Sequence, residues 1–188
     1  IVVPAYRPDV DRLGAYLRAL DERLAPAVVR VELDAPRPGV RDRLGSLPES
    51  VEIATADARR GKGAAITAGF EALDGRVAVL GFADADGSTP ADSFAAVVER
   101  VLDGSADLAT GSRWLPDSEA DRPAKRGVPS LGYNGLVRLM LRSRLQDHQC
   151  GFKAFDRETL FALLGDVEDD HWFWDTEVLV RAQRAGYR

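Results

Sequence analysis

Val77-Ala-Val-Leu-Gly-Phe-Ala-Asp-Ala-Asp-Gly-Ser-Thr-Pro90 is the stretch that decides how this chain folds. An apolar run ends abruptly in two carboxylates, Asp84 and Asp86, and then in a Gly-Ser-Thr-Pro turn. Residues i and i+2 of an extended segment project to the same side. Two hard oxygen ligands at a strand's carboxyl end can therefore converge on one divalent cation, with Mg²⁺ or Mn²⁺ the natural choice. In α/β sheets that edge is also where ligands bind. The same residues suit a buried strand with an acidic turn and an N-cap for the next helix, so the flanking sequence has to decide.

Working outward, apolar strand-like runs alternate with helical patterns. Ile1–Val3 precedes a helix in which Val10, Leu13, Leu17, Leu20 and Leu24 keep a 3.6-residue period. Val28–Leu33 reads as a second strand, followed by the proline-rich Ala35-Pro-Arg-Pro-Gly39. Val51–Thr55 leads into Gly61-Lys-Gly63 and a helix to about Leu73. Arg76–Ala83 is the strand that delivers the aspartates, and Pro90–Leu102 is helical behind a Ser88/Thr89 cap. Leu108–Thr110 is a short strand ending at Gly111-Ser-Arg113. Residues 115–128, polar and rich in charge and proline, read as a mobile loop on the ligand side, with a plain surface insertion the reading that these residues by themselves favour. A helix through Leu136–Leu145, a strand over Cys150–Phe155, and helices at Glu158–Leu164 and Thr176–Ala185 complete the chain. This alternation predicts an α/β fold with a mostly parallel central sheet and helices on both faces.

Composition narrows the function classes. The 188 residues suit a single domain with a full core. A net charge of −5, from 30 acidic and 25 basic residues, provides no electrostatic footprint for nucleic acid. The one cysteine, Cys150, excludes an intramolecular disulfide, and one Cys with two His makes no zinc set, which points to a reducing, cytoplasmic setting. No run of about 18 apolar residues is present. The chain opens on Ile1 inside a strand and stops at Gly186-Tyr-Arg188 just after a helix, so it reads as a fragment, and a membrane anchor can lie outside it.

Three further clusters carry chemistry. Gly61-Lys-Gly63 opens a helix after a strand, where glycines let backbone approach a phosphate, orphan N–H groups face it and Lys62 adds a cation. A plain glycine turn is the competing reading, and neither a Walker loop nor a dinucleotide G-x-G-x-x-G is present. Arg113 should reach the same edge as the aspartates, for phosphate or for a local carboxylate. Asp147-His-Gln-Cys-Gly-Phe-Lys-Ala-Phe155 sets an acid, an amide and a lysine around a glycine, and Trp172-Phe-Trp-Asp-Thr-Glu177 sets two acids beside bulky aromatics. There Asp175 can be an N-cap, and the solitary His148 and His171 read as packing or surface groups.

Taken together, these pieces resemble the inverting nucleotide-sugar glycosyltransferases of family two, in particular the polyprenyl-phosphate (dolichyl-phosphate) hexosyltransferases. The resemblance runs over the whole chain through Val3-Pro-Ala-Tyr6, Arg60-Gly-Lys-Gly-Ala-Ala65, Phe82-Ala-Asp-Ala-Asp-Gly87, Gly111-Ser-Arg113, Asp147-His-Gln-Cys-Gly-Phe-Lys153 and Trp174-Asp-Thr-Glu177. Gly-Lys-Gly, Ala-Asp-Ala-Asp-Gly and Gln-Cys-Gly-Phe-Lys together look most like the dolichyl-phosphate β-glucosyltransferase branch. The resemblance implies a single catalytic domain over 1–188 with a GT-A type, Rossmann-like fold, and a divalent metal, Mg²⁺ or Mn²⁺, on Asp84 and Asp86. It implies a donor site for UDP- or GDP-hexose made by Pro4, Ala5, Tyr6, Asp34, Lys62, Asp84, Ala85 and Asp86. It places Asp86, Arg113 and Asp147 in catalysis, and Arg126, Ser130 and Lys153 at the acceptor phosphate. Asp175 and Glu177 would support the pocket wall. It further implies a polyprenyl or dolichyl phosphate acceptor, a membrane surface as partner of the whole protein, and action on the cytoplasmic side of the cell or endoplasmic reticulum membrane.

The chain departs from the family's pattern where Glu32-Leu-Asp-Ala-Pro-Arg-Pro38 stands in place of Asp-Asp-Gly-Ser, and where His148 replaces a threonine. Transfer to a sugar hydroxyl, with Asp147 as base, and a non-catalytic nucleotide-sugar-binding domain are the alternatives. A sugar-nucleotide pyrophosphorylase ranks last, because its long N-terminal glycine-rich signature is missing.

Overall fold

The computed structural model describes residues 1–113 and 132–188 in full and residues 124–131 as backbone. Strand β1 (Val2–Ala5) leads to helix α1 (Val10–Leu24), β2 (Val29–Asp34), the short α2 (Val40–Arg43), β3 (Val51–Ala56) and α3 (Lys62–Ala72). Then follow β4 (Val79–Ala83), α4 (Ala91–Leu102), β5 (Leu108–Thr110), α5 (Ala124–Leu141), β6 (Phe152–Asp156), α6 (Arg157–Leu164) and α7 (Trp174–Ala185). The strands form one sheet in the order β3-β2-β1-β4-β6-β5. β3, β2, β1 and β4 are parallel neighbours, and β6 runs antiparallel between β4 and β5. The mostly parallel sheet expected from the alternation is present.

Period-two alternation feeds two cores. Val3, Ala5, Val31, Leu33 and Phe152 pack with Leu13, Leu17 and Leu20 of α1 and Phe94 of α4. Val2, Leu80, Phe82 and Phe155 pack on the opposite face with Ile66 and Phe70 of α3, Leu160 of α6, and Trp174 and Val178 of α7. Helices therefore cover both faces. Asp9 caps α1 by accepting from the Arg12 N–H, and Asp156 caps α6 by accepting from the Thr159 N–H.

Two local expectations are corrected. The cap expected from Ser88 or Thr89 is absent, because Pro90 itself takes the N-cap position and its carbonyl accepts from the Phe94 N–H. The last part of the expected 115–128 loop belongs to α5, which begins at Ala124, while its earlier residues lie outside the described ones. α5 overlaps the helix expected over Leu136–Leu145 but begins earlier and ends at Leu141; its outer positions Leu136, Leu139 and Met140 are exposed, so no buried stripe marked its bounds. Among the described residues, no helix is long and apolar enough to cross a membrane.

Candidate active site

The strand order reverses between β1 and β4, and such a switch point opens a crevice at the strands' carboxyl ends. A cleft of about 320 Å³ lies there. Pro4, Ala5 and Tyr6 come to it from the end of β1, Asp34 from β2, Lys62 from the start of α3, and Asp84, Ala85 and Asp86 from the turn after β4. All eight residues expected at the donor site thus line one cleft. Arg59, Arg12 and Trp172 line it too, and sequence reasoning placed none of the three there. The Arg59 guanidinium lies 4.5 Å from the centre of the half-exposed Tyr6 ring, and that of Arg7 lies 5.2 Å away. Two arginines flanking an aromatic carry no one-dimensional signature when they are more than fifty residues apart.

Asp84 and Asp86 do not share the environment that i, i+2 spacing on a strand implies. β4 ends at Ala83, and the pair sits in the turn beyond it. Asp86 is exposed and accepts from the Ser88 N–H at 2.9 Å. Asp84 is packed against Lys62, whose Nζ lies 2.9 Å from Asp84 Oδ1. Burial raises the Asp84 carboxyl above its ordinary value, with the charge of Lys62 pulling the other way. Gly151 holds this carboxylate in place: a Cβ there would come within 2.4 Å of Asp84 Oδ2, and the Asp84 N–H donates to the Gly151 carbonyl. The glycine of Gln-Cys-Gly-Phe-Lys is therefore a requirement of the first aspartate. A nearby phenol, Tyr16, is buried with its hydroxyl lacking a partner among the described residues, and burial together with the negative field of Asp84 and Asp86 pushes its pKa up.

The donor set fits a hard divalent cation. Mg²⁺ is commonly held by one or two carboxylates plus substrate phosphates, and Asp84 and Asp86 are two such carboxylates on one cleft. The ammonium of Lys62 against Asp84 shows that the position attracts positive charge. Among the described residues, no group of three or more His, Cys, Asp or Glu could hold a metal, so remaining ligands would have to come from a bound molecule or water.

The Gly61-Lys-Gly63 turn owes its glycines to packing. Gly61 has φ 106°, and a Cβ on it would lie 1.9 Å from His171 Nδ1; one on Gly63 would lie 2.7 Å from the Asp169 carbonyl oxygen. The Ala64 N–H in the first turn of α3 donates to the Asp170 carbonyl. The segment before α7 thus rests on this turn and presents Lys62 to the cleft. Asp34 works to the same end: its oxygens accept from the Arg60 and Gly61 N–H groups at 2.7 and 3.0 Å. Asp34 lines the cleft, yet its carboxylate is spent on the glycine turn rather than free for a base or ribose.

Lys153 corrects a further expectation. It was assigned to the acceptor phosphate, but it is fully buried; its Nζ donates to the Cys150 carbonyl at 2.9 Å and to Asp175 Oδ1 at 2.5 Å. Alternation along β6 turns it into the α3/α7 core, 5.1 Å from the centre of the Phe82 ring. Asp175 is not the N-cap of α7, a position that Phe173 occupies; it lies buried in the first turn and bridges Lys153 and Lys62. Burial alone would raise Asp175, but the charges of Lys153 and Lys62 outweigh it and hold the carboxyl below its usual range. Glu177 accepts from the Glu168 and Asp169 N–H groups, tying down the segment that covers the glycine turn.

Arg113 and Asp147 form a separate pair. Arg113 Nε and Nη2 donate to the two Asp147 oxygens at 2.7 and 2.9 Å, and the Arg113 N–H adds a third bond at 3.1 Å. Burial works to raise Asp147, yet these hydrogen bonds and the guanidinium charge prevail and its pKa is lowered. Asp147 is thereby committed to holding Arg113 and is poorly placed to take a proton. Arg113 itself remains two-fifths exposed. His148 is structural, its ring nitrogens bonded to Asn134 and Ser143. The Cys150 thiol is buried and pushed up to about 11, so it is no nucleophile. The side chains of Arg126 and Ser130 lie outside the described residues.

A switch-point cleft of this kind, floored by a carboxylate pair and a tethered lysine, defines an α/β domain of the GT-A type. The chain belongs to glycosyl transferase family 2, whose pattern matches residues 34–163. It is 48% identical over 198 residues to Glycosyltransferase AglD of Haloferax volcanii, covering 100% of this chain and 31% of that protein. It is 32% identical over 146 residues to the dolichyl-phosphate beta-glucosyltransferase of Homo sapiens, covering 72% of this chain and 43% of that one. The chain spans less than half the length of these relatives. Glucosyl-3-phosphoglycerate synthase of Mycobacterium tuberculosis, solved with Mn²⁺, UDP and glucosyl-3-phosphoglycerate, shares the fold, with a TM-score of 0.67 at 14% identity over 98% of this chain and 64% of its own.

Proposed function

We propose that this domain transfers a hexose, glucose or mannose, from a UDP- or GDP-sugar to a polyprenyl or dolichyl phosphate, with inversion at the anomeric carbon. The observation that carries the reading is the convergence of Pro4, Ala5, Tyr6, Asp34, Lys62, Asp84, Ala85 and Asp86 on one switch-point cleft. The names of the relatives favour glucose and a dolichyl phosphate acceptor. Asp84 and Asp86 would hold Mg²⁺ or Mn²⁺, which when bound offsets charge on the donor's diphosphate. Lys62 faces the same charge from the start of α3.

In the reaction an acceptor phosphate oxygen forms the new bond to the anomeric carbon, the bond to the donor's β-phosphate oxygen breaks, and the nucleoside diphosphate leaves with that electron pair. A phosphate monoester has a second pKa of about 6, so it is already largely a dianion at neutral pH and needs no strong base. The commitment of Asp147 to Arg113 supports this acceptor over a sugar hydroxyl, which would require one. Arg113 is assigned to catalysis, Arg126 and Ser130 to the acceptor phosphate, and the whole protein to the cytoplasmic face of a membrane.

The test is a donor screen that follows release of nucleoside diphosphate with Mn²⁺, with and without a short polyprenyl phosphate. Release that requires the lipid phosphate and is lost in Asp86→Ala is the expected result. Turnover with a soluble saccharide but not with lipid phosphate would replace the acceptor, and tight nucleotide binding without turnover would make the domain a binding module.

A further inference from the structure

Four charges beneath the cleft form one chain in space. Lys62 Nζ lies 2.9 Å from Asp84 Oδ1 and 2.9 Å from Asp175 Oδ2, and Lys153 Nζ lies 2.5 Å from Asp175 Oδ1. Carboxylates and ammoniums alternate and balance. Asp175 is buried in the first turn of α7 and is therefore a fixed anchor. Lys62 is only 12% exposed, and the rings of Phe82 and Trp172 stand 5.2 and 5.5 Å from its Nζ. Lys62 is thus held against Asp84 from below, by a carboxylate out of reach of solvent.

A divalent cation joining Asp84 meets this ammonium. With Asp84 and Asp86 as the carboxylates that would hold it, and Asp84 already paired, metal alone would add two positive charges beside a lysine that is mostly shielded from water. A diphosphate changes both sides of the balance. Its oxygens complete the metal's ligand shell, and its charge gives Lys62 a partner to replace Asp84.

We propose that Lys62, tethered by Asp175, is a resident cation at Asp84 that yields its place to the divalent metal only when a nucleoside diphosphate arrives to receive the ammonium. Metal and diphosphate then bind as coupled ligands, each raising the affinity for the other by the same factor. The inference rests on the donor-site reading and adds an order to it: the cleft holds little metal until the diphosphate is present.

The chain has only three lysines, Lys62, Lys125 and Lys153, so ¹³Cε-lysine labelling yields few side-chain signals, and contact with the Trp172 ring identifies Lys62 without any variant. Mg²⁺ alone should leave the Lys62 signal in place, whereas Mg²⁺ with UDP or GDP should move it. In calorimetry corrected for chelation by free nucleotide, the diphosphate should raise Mn²⁺ affinity by about 5- to 150-fold, the usual span of such coupling. Lys62→Gln should bind Mn²⁺ alone at least about 5-fold more tightly and show weaker coupling, retaining only the part due to direct metal–diphosphate coordination. The proposal is overturned if Mg²⁺ alone moves the Lys62 signal as far as Mg²⁺ with diphosphate does, or if folded Lys62→Gln binds Mn²⁺ alone no better than the parent. If neither UDP nor GDP binds under any metal condition, the donor-site reading falls as well. If diphosphate and metal bind while the Lys62 signal stays put, this inference alone falls.

Discussion

The two faces of the sheet are built from different materials. The face under α1 and α4 is an ordinary apolar core of Leu13, Leu17, Leu20, Val31, Leu33 and Phe94. The face under α3 and α7 sets the aromatics Phe70, Phe82, Phe155 and Trp174 around the buried charges Lys153 and Asp175, with Lys62 at the rim. Glu32, turned to the same side by alternation, is also buried and pairs with Arg30 and Arg60 at 2.6 and 2.9 Å. The apolar face supplies stability cheaply through area removed from water. The charged face carries a desolvation cost that replacement by apolar groups would avoid. What the charges achieve is a lysine and an aspartate fixed at the cleft floor from inside the core.

The contrast can be broken first at Asp175. Asp175→Ala strands two lysines, and losing one partner of a buried pair costs about 3–5 kcal/mol, to be read as a fall in unfolding free energy by urea titration. On the other face, Leu17→Ala should cost about 2–5 kcal/mol through a cavity alone and leave nucleotide affinity unchanged. If Leu17→Ala weakened UDP or GDP binding as much as Asp175→Ala did, the division of labour would be wrong. Gly151→Ala forces a Cβ onto Asp84 and should cut turnover on the order of 10²-fold, as misplacement of a site group by about 1 Å does. Its thermal midpoint should move far less than that of Asp175→Ala.

Acidification tests the neighbouring polar cluster. Burial lowers the pKa of His148 below its ordinary 6.5, so the unfolded chain binds a proton more readily than the folded one. The resulting stability is fully present above pH 6.5 and is lost as pH falls through that value toward the depressed folded pKa. Urea midpoints at pH 8, 6.5 and 5.5 should decline in that order, and the His148 ring should still be neutral by NMR at pH 6.5. The smallest effect belongs to the surface. Arg157→Ala removes a half-exposed pair with Asp74 and should change stability by about 1 kcal/mol or less.

Much of this architecture was legible in one dimension. Apolar runs broken by Gly61-Lys-Gly63 and by Asp84-Ala-Asp86 marked strand ends, and the helical period from Val10 to Leu24 marked α1, because backbone periodicity is a local property. The start of α5 escaped, placing the helix too late along the chain, since its exposed leucines and glycines follow no buried stripe. Lys153 was misjudged for a related reason: a lysine reads as a surface group unless its partner is visible, and Asp175 lies 22 residues on. The reason for Gly61 and Gly63 was hidden too, because the His171 ring and the Asp169 carbonyl that exclude a Cβ arrive from the far end of the chain.

Residue types and their spacing along the chain were enough to specify the α/β order and the strand ends, and the family resemblance named the eight residues that line the cleft, since each strand end carries its own residues to the same edge. The pairing of those residues was settled by folding. Which carboxylate Lys62 touches, that Asp147 holds Arg113, and that Lys153 is buried all depend on contacts between segments distant in sequence. Burial then removes the water that would otherwise satisfy each charge, so the partner that the fold brings within 3 Å decides what that charge can do.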